Sequence, residues 1–304
     1  MRIAVTGKNG QVVTALIERG RAASVDVVTL GRPEFDLAEP GDVRALLAAA
    51  RPDVIVSAAA YTAVDKAETE PDLAFAINGT GAGVIADAAA ALDIPLIHIS
   101  TDYVFDGSKR SAWSESDPVA PLGVYGASKL AGEQAVLASS ARAVILRVAW
   151  VYAPFGANFA RTMLRLSETR DRLGVVADQI GAPTSALDIA DGILAIAKRL
   201  AAPGADASLE GIFHMGAGGP DASWADFAEA IFDGAARRGS KRPAVDRIST
   251  ADYPTPARRP AQSRLESSKL ASAYGITLPD WRESLETVLD RLIAPESKPH
   301  LEGI

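Results

Sequence analysis

Arg2-Ile3-Ala4-Val5-Thr6-Gly7-Lys8-Asn9-Gly10 is the stretch on which the reading of the fold turns. A short apolar run ends in a glycine turn, and the amphipathic stretch Gln11 to Arg19 follows directly. Strand, glycine turn and helix in that order form the context that a phosphate-binding turn requires. Glycine lets the backbone come close to a pyrophosphate, and the helix N-terminus offers free N–H groups and partial positive charge. Gly7, Asn9, Gly10, Gln11 and Val12 are therefore candidate cofactor residues, with a plain strand-to-helix turn as the alternative. In a Gly-x-x-Gly-x-x-Gly pattern the third glycine would fall at 13, where Val13 stands. That glycine serves helix–strand packing rather than phosphate contact, so the motif is weakened without losing its chemistry.

Outward from this turn, short apolar runs alternate with amphipathic stretches. Arg2 to Thr6, Val25 to Leu30, Val54 to Ser57, Leu96 to Ser100 and Ala143 to Val148 read as buried strands. Gln11 to Arg19, Gly41 to Ala50, Pro71 to Leu92 and Tyr125 to Ala138 read as the helices between them. Near-continuous apolar strands separated by helices predict a parallel sheet covered on both faces. The fold class is thus α/β, a Rossmann-type doubly wound sheet with a smaller C-terminal lobe. The expected division is a dinucleotide-binding part over 1–150, rejoined by about 180–210, and a mainly substrate-binding lobe over 151–304. In the less regular second half, Phe159 to Leu166, Ile189 to Leu200 and Trp224 to Ala236 read as helices, and Ile212 to Met215 as a strand. Residues 252–260 are a Pro-rich loop, and the polar tail beyond Pro295 is expected to fray.

Composition narrows the function classes. The 304 residues carry a net charge of −7 with no basic stretch to offset it, which argues against nucleic acid as a partner. No cysteine is present, so disulfides are excluded and a reducing, cytoplasmic setting fits. The apolar start is too short for a signal peptide, and no segment is expected to span a membrane.

The second strand ends at Leu30-Gly31-Arg32, where an acid would take the ribose hydroxyls and repel a 2′-phosphate. Arg32 can instead pair with that phosphate, which favours NADPH and leaves NADH possible; the alternative is a solvated surface arginine. Asp36 and Leu37 could hold the adenine edge. Ala58, Ala59 and Ala60 after the third strand are small enough to let a cofactor lie across the sheet.

Chemistry is carried by Ser100-Thr101-Asp102-Tyr103-Val104-Phe105 and by Tyr125-Gly126-Ala127-Ser128-Lys129. Tyr125 and Lys129 lie four apart and share one helix face. A lysine beside a tyrosine favours the phenolate and can draw its pKa down toward working pH. Thr101, closing an apolar run, offers a hydroxyl to a substrate oxygen. The three together suit proton delivery to a carbonyl that receives a hydride.

With these pieces in order, the chain resembles the extended short-chain dehydrogenases/reductases, and within them the dTDP-4-dehydrorhamnose reductase family. The likeness runs through Arg51 to Val56, Tyr61 to Glu68, Ser100 to Phe105, Val124 to Glu133 and Trp150-Val151-Tyr152. It continues with Asn158-Phe159, Asp178-Gln179, Gly181 to Thr184 and Tyr253 to Pro260. It implies reduction of the C4 keto group of dTDP-4-dehydro-β-L-rhamnose, the last step toward dTDP-β-L-rhamnose. Tyr125 would protonate the C4 oxygen, Lys129 would hold the nicotinamide ribose and lower the tyrosine pKa, and Thr101 would polarise the carbonyl. Asp102, Val104, Phe105, Trp150 and Asn158 would line the sugar pocket, and Arg259 would reach the nucleotide. Trp150 has a core residue as its alternative, Asn158 a helix cap, and Arg259 a surface charge.

Departures restrain the likeness. Ser57 stands where the family usually has asparagine. Ala15 and Leu187 occupy positions where glutamates of some members hold magnesium between two chains, so no metal and a monomer or weak homodimer are expected. A dehydratase would need an acid/base pair after the threonine, and Asp102 is followed by Tyr103. An epimerase retaining NAD would want the missing acid after the second strand. A non-catalytic regulatory subunit of reductase-like fold is the reading from another class, though nothing would then preserve Thr101, Tyr125 and Lys129 together.

Overall fold

The computed structural model describes residues 1–204 and 206–293, so the tail expected to fray lies outside the described residues. Its centre is a six-stranded parallel sheet. The strands are β1 (Arg2–Thr6), β2 (Asp26–Leu30), β3 (Val54–Ser57), β4 (Leu96–Thr101), β5 (Ala143–Val148) and β6 (Gly211–His214), in the order β2-β1-β3-β4-β5-β6. The order reverses between β1 and β3, and a doubly wound sheet opens a crevice at that point beyond its strand C-termini.

Alternation along the strands builds two cores. Ile3, Val5, Val54, Val56 and Ile97 face one side, while Ala4, Ile55 and Leu96 face the other. Because β-strand side chains alternate, each central strand must be apolar at every position to be covered on both faces. On the first side, α1 (Gln11–Ala22) packs against α6 (Ala186–Leu200), with Ala15 and Leu187 both buried. On the second side lie α2 (Val43–Ala50), the helix α3 (Pro71–Ala91) and α4 (Val124–Ala138). α3 contains a π-helical turn at Ala76–Thr80 that presents Asn78 to α4. At 21 residues α3 is long and apolar enough to cross a bilayer, contrary to the expectation that no segment would be. Half of its apolar window is buried inside the fold, where it packs on α4.

The remaining elements form a lobe over the strand C-termini. α7 (Trp224–Arg237) packs on a parallel pair made by Arg172–Val176 and Ala244–Ile248, and α5 (Phe159–Ser167) and α8 (Trp281–Leu292) pack on α7. Both strands escape the apolar-run criterion because each is half exposed and carries charged residues. The helix expected to begin at Ile189 starts at Ala186, since Ser185 accepts the Leu187 N–H as its cap.

Two glycines fix how closely these parts approach. Gly7 has φ of +99°, a conformation that side chains rarely adopt, and so it turns the chain sharply from β1 into α1. Gly126 lies in the first turn of α4, where an added Cβ would stand 2.2 Å from the Tyr103 carbonyl oxygen. Gly126→Ala is therefore expected to push α4 away from the end of β4. A loss of about 1–3 kcal/mol in denaturant unfolding should accompany a fall in turnover; unchanged values for both would show that the backbone yields freely there.

Candidate active site

Position along β4 and α4 brings the polar residues together. On β4, residues two apart face α4, and on α4, residues four apart face the sheet. His98 thereby meets Lys129, and Ser100 meets Glu133. Glu133 in turn takes a bidentate pair from Arg147 of β5 at 2.9 and 2.6 Å, wholly buried. Asn78 clamps the loop after β3 by bonding both the N–H and the carbonyl of Tyr61, and its amide also reaches Ser128 of α4. Thr6 accepts the N–H groups of Ala58 and Ala59 at 3.0 Å each, which sets the course of the alanine turn.

The result is a cleft of about 520 Å³ lined by Gly10, Gln11, Val12, Ala58, Ala60, Thr101, Asp102, Tyr103, Tyr125, Lys129, Trp150 and Trp224, among others. Thr101, Tyr125 and Lys129 share its floor. A second cavity of about 620 Å³ lies in the lobe, lined by Met163, Leu166, Arg170, Gln179, Tyr253, Thr255 and Arg259. Tyr103, Phe159 and Trp224 line both, so the two spaces adjoin.

The electrostatics differ from expectation at one point. Burial pushes the Tyr125 phenol up to about 12, with the Thr101 hydroxyl pulling the other way. Lys129 does not lower it. Its ammonium is turned to the Ile99 carbonyl at 2.7 Å and to His98 Nε2 at 3.4 Å. Burial brings Lys129 itself down to about 8 against the opposing charge of Glu133. Thr101 donates to Asp102 at 3.0 Å and accepts the Tyr103 N–H at 3.2 Å. Asp102 is buried, which lifts its carboxyl to about 6.

Trp150 lies in the cleft wall with φ of +49°. Its indole stacks on Trp224 at 3.6 Å and 11°, and an added Cβ on Gly181 would meet the other side of the ring at 2.7 Å. A bulky residue held at positive φ by packing on both faces is a strained feature of the kind that gathers at functional sites. Trp224 was not foreseen; its signal was a scarce aromatic directly after a Ser223 cap. Arg259 lines the second cavity while paired with Asp65 at 2.9 Å, across from lobe to sheet.

Four expected site residues fall elsewhere. Val104 and Phe105 are fully buried, and Phe105 stacks on Trp113 at 4.4 Å over the Arg147 guanidinium. They follow Thr101 in sequence, but the 3₁₀ turn Asp102–Val104 carries them under the sheet end. Asn158 is the cap of α5: it accepts the Arg161 N–H and donates to Gln11, Ala153 and Phe155. Leu37 is buried against Gly81 of α3 and belongs to the core. Of the adenine-side residues, Asp36 accepts the Ala38 N–H, and Arg32 is exposed beside the turn, where Lys8 bonds its carbonyl and the Glu34 carboxylate.

A family model described as RmlD substrate binding domain matches residues 1–294. The dTDP-4-dehydrorhamnose reductase of Sinorhizobium fredii (strain NBRC 101917 / NGR234) is 50% identical over 293 residues, covering 96% of this chain and 98% of that protein. The chain belongs to the dTDP-4-dehydrorhamnose reductase family. Among solved structures, the family member from Clostridium acetobutylicum superposes with a TM-score of 0.88 at 36% identity, over 96% of this chain and 99% of that one. The Bacillus anthracis reductase, solved in complex with NADP, gives 0.87 at 35% identity, over 94% and 98%.

A dinucleotide fits the observed cleft in this family member. The Gly7 turn leaves room toward Ala59, α1 begins without a side-chain cap or an acid in its first turn, and the third-glycine position holds a buried Val13 that packs beneath the turn. The residues that would hold the cofactor are thus the Gly7–Val12 backbone, the alanine turn, Arg32 and Lys129.

Proposed function

We propose that the protein reduces the C4 keto group of dTDP-4-dehydro-β-L-rhamnose to give dTDP-β-L-rhamnose, with NADPH as reductant. The observation that carries the reading is the meeting of Thr101, Tyr125 and Lys129 on the floor of a cleft open both to the glycine turn and to the lobe cavity. Residues 1–150 with about 180–210 then serve as the cofactor half and 151–304 mainly as the substrate lobe. A nucleotide-sugar substrate and the cysteine-free chain favour a cytoplasmic protein.

When bound, NADPH supplies the hydride. Tyr125 keeps its proton throughout the neutral range, because burial holds it high, and so it can give that proton to the C4 oxygen as negative charge develops there. Thr101 would support the same oxygen by turning its hydroxyl from Asp102, to which it donates at 3.0 Å. Lys129, whose ammonium lines the cleft, would hold the ribose of the cofactor. Arg170 and Arg259 in the lobe cavity suit the diphosphate of the substrate, and Tyr253 offers a ring to its base.

NADPH oxidation by the purified protein with dTDP-4-dehydrorhamnose tests the proposal, and absence of turnover with cofactor bound would refute it. Arg32→Ala is expected to raise the KM for NADPH by about 10- to 100-fold, the worth of a charge-assisted bond, while the KM for NADH stays put. Equal changes for both cofactors would assign Arg32 to the surface.

A further inference from the structure

We propose that His98 is a positioning residue that aims Lys129 into the cleft, and that Ser57 fixes the imidazole tautomer this requires. The inference rests on the proposed role of Lys129 in holding cofactor. His98 is buried in β4, with Nε2 3.4 Å from Lys129 Nζ and Nδ1 3.1 Å from Ser57 Oγ. An ammonium has donors only, so the ring nitrogen facing it must present a lone pair. The single imidazole proton then sits on Nδ1 and is donated to the Ser57 hydroxyl. The neutral ring is secured by burial and by the lysine charge, both of which hold His98 well below its ordinary value.

The arrangement orients rather than conducts. Ser57 is itself buried at the end of β3, and among the described residues His98 is the side chain its hydroxyl bonds. What the chain does is settle a flexible side chain. Lys129 has three N–H donors on a four-carbon stem. Two are taken on the sheet side, by the Ile99 carbonyl and by His98, and the third is left for the cleft that Lys129 lines. The other groups near the ammonium cannot replace His98. Glu133, one turn further along α4, is committed to Arg147 and Ser100, and Tyr125, one turn back, is a neutral phenol. At the end of β4, Thr101 and Asp102 bond each other.

The test uses three variants of the full-length enzyme and two readouts. In ¹⁵N NMR of the parent, the His98 signal, identified among the three histidines by its loss in His98→Phe, should show a protonated Nδ1 and an unprotonated Nε2. The pH dependence of kcat/KM for NADPH should fall above about 8 as Lys129 loses its proton, since Tyr125 remains protonated there. His98→Phe should move that fall to lower pH by about one unit, because an acceptor for the ammonium is gone, and raise the NADPH KM about tenfold. Ser57→Ala should mix the tautomers and raise the KM several-fold, and Ser57→Asn, whose amide oxygen can accept from Nδ1, should restore both. A parent imidazole protonated at Nε2 overturns the proposal. So does a folded His98→Phe with parental KM and pH profile, or, if that variant does not fold, Ser57→Ala with parental tautomer and KM. Failure of the parent to oxidise NADPH with substrate would instead refute the assigned reaction, while the tautomer would still decide the role of His98.

Discussion

Replacing Tyr125 by phenylalanine is expected to lower kcat by about 10³-fold while NADPH binding stays within a few-fold of the parent. The substitution removes only a hydroxyl from a ring that packs edge-on against Tyr103 at 5.4 Å, so the ring and the helix it stands on should stay in place. What is lost is a phenol on the cleft floor that keeps its proton across the neutral range. Thr101 is the nearest other hydroxyl, and it is engaged with Asp102 and the Tyr103 N–H. Cofactor titration by fluorescence beside steady-state turnover separates the two effects. Turnover within tenfold of the parent would remove Tyr125 from the chemistry, and a matched loss of cofactor affinity would make it a structural support of the cleft.

Glu133→Ala should produce the largest loss of stability, about 3–5 kcal/mol, because it strands a buried charge. Arg147 is 2% exposed and spends its guanidinium on both oxygens of Glu133, with the Phe105 ring 5.0 Å away and His214 at 3.5 Å. Ser100 would lose its acceptor at the same stroke. The midpoint of thermal unfolding should fall by roughly 10 °C. A double replacement, Glu133→Leu with Arg147→Met, should be much less damaging, since apolar side chains of similar size remove both charges together. A single variant within about 1 kcal/mol of the parent would mean that water reaches the pair. If the double variant were as unstable as the single, packing rather than charge would be the cause.

Much of this molecule is written in local pattern. The strands of the sheet, the helices between them and the glycine turn after Thr6 follow from periodicity, because a sheet covered on both faces needs apolar residues throughout and a helix needs them on one stripe only. The Tyr125–Lys129 pair and its relation to Thr101 were legible for the same reason: spacing within one helix and position at a strand end survive any tertiary arrangement. The two lobe strands were not, since half-exposed strands with arginine and aspartate in them give no apolar run.

Side-chain destinations after a turn were the other thing that sequence alone left open. Val104 and Phe105 stand three and four residues past Thr101, yet one turn of 3₁₀ helix carries them into the core. Asn158 and Leu37 likewise met partners distant in sequence, Gln11 in one case and Gly81 in the other. The same holds for the lysine: its spacing from Tyr125 placed both on one face, but the carbonyl of Ile99 and the ring of His98, presented by β4, decided where its ammonium points. Local order depends on neighbours along the chain and can be read from them. Burial, ionisation and aim depend on which strands and helices are packed together, and only the tertiary structure decides that.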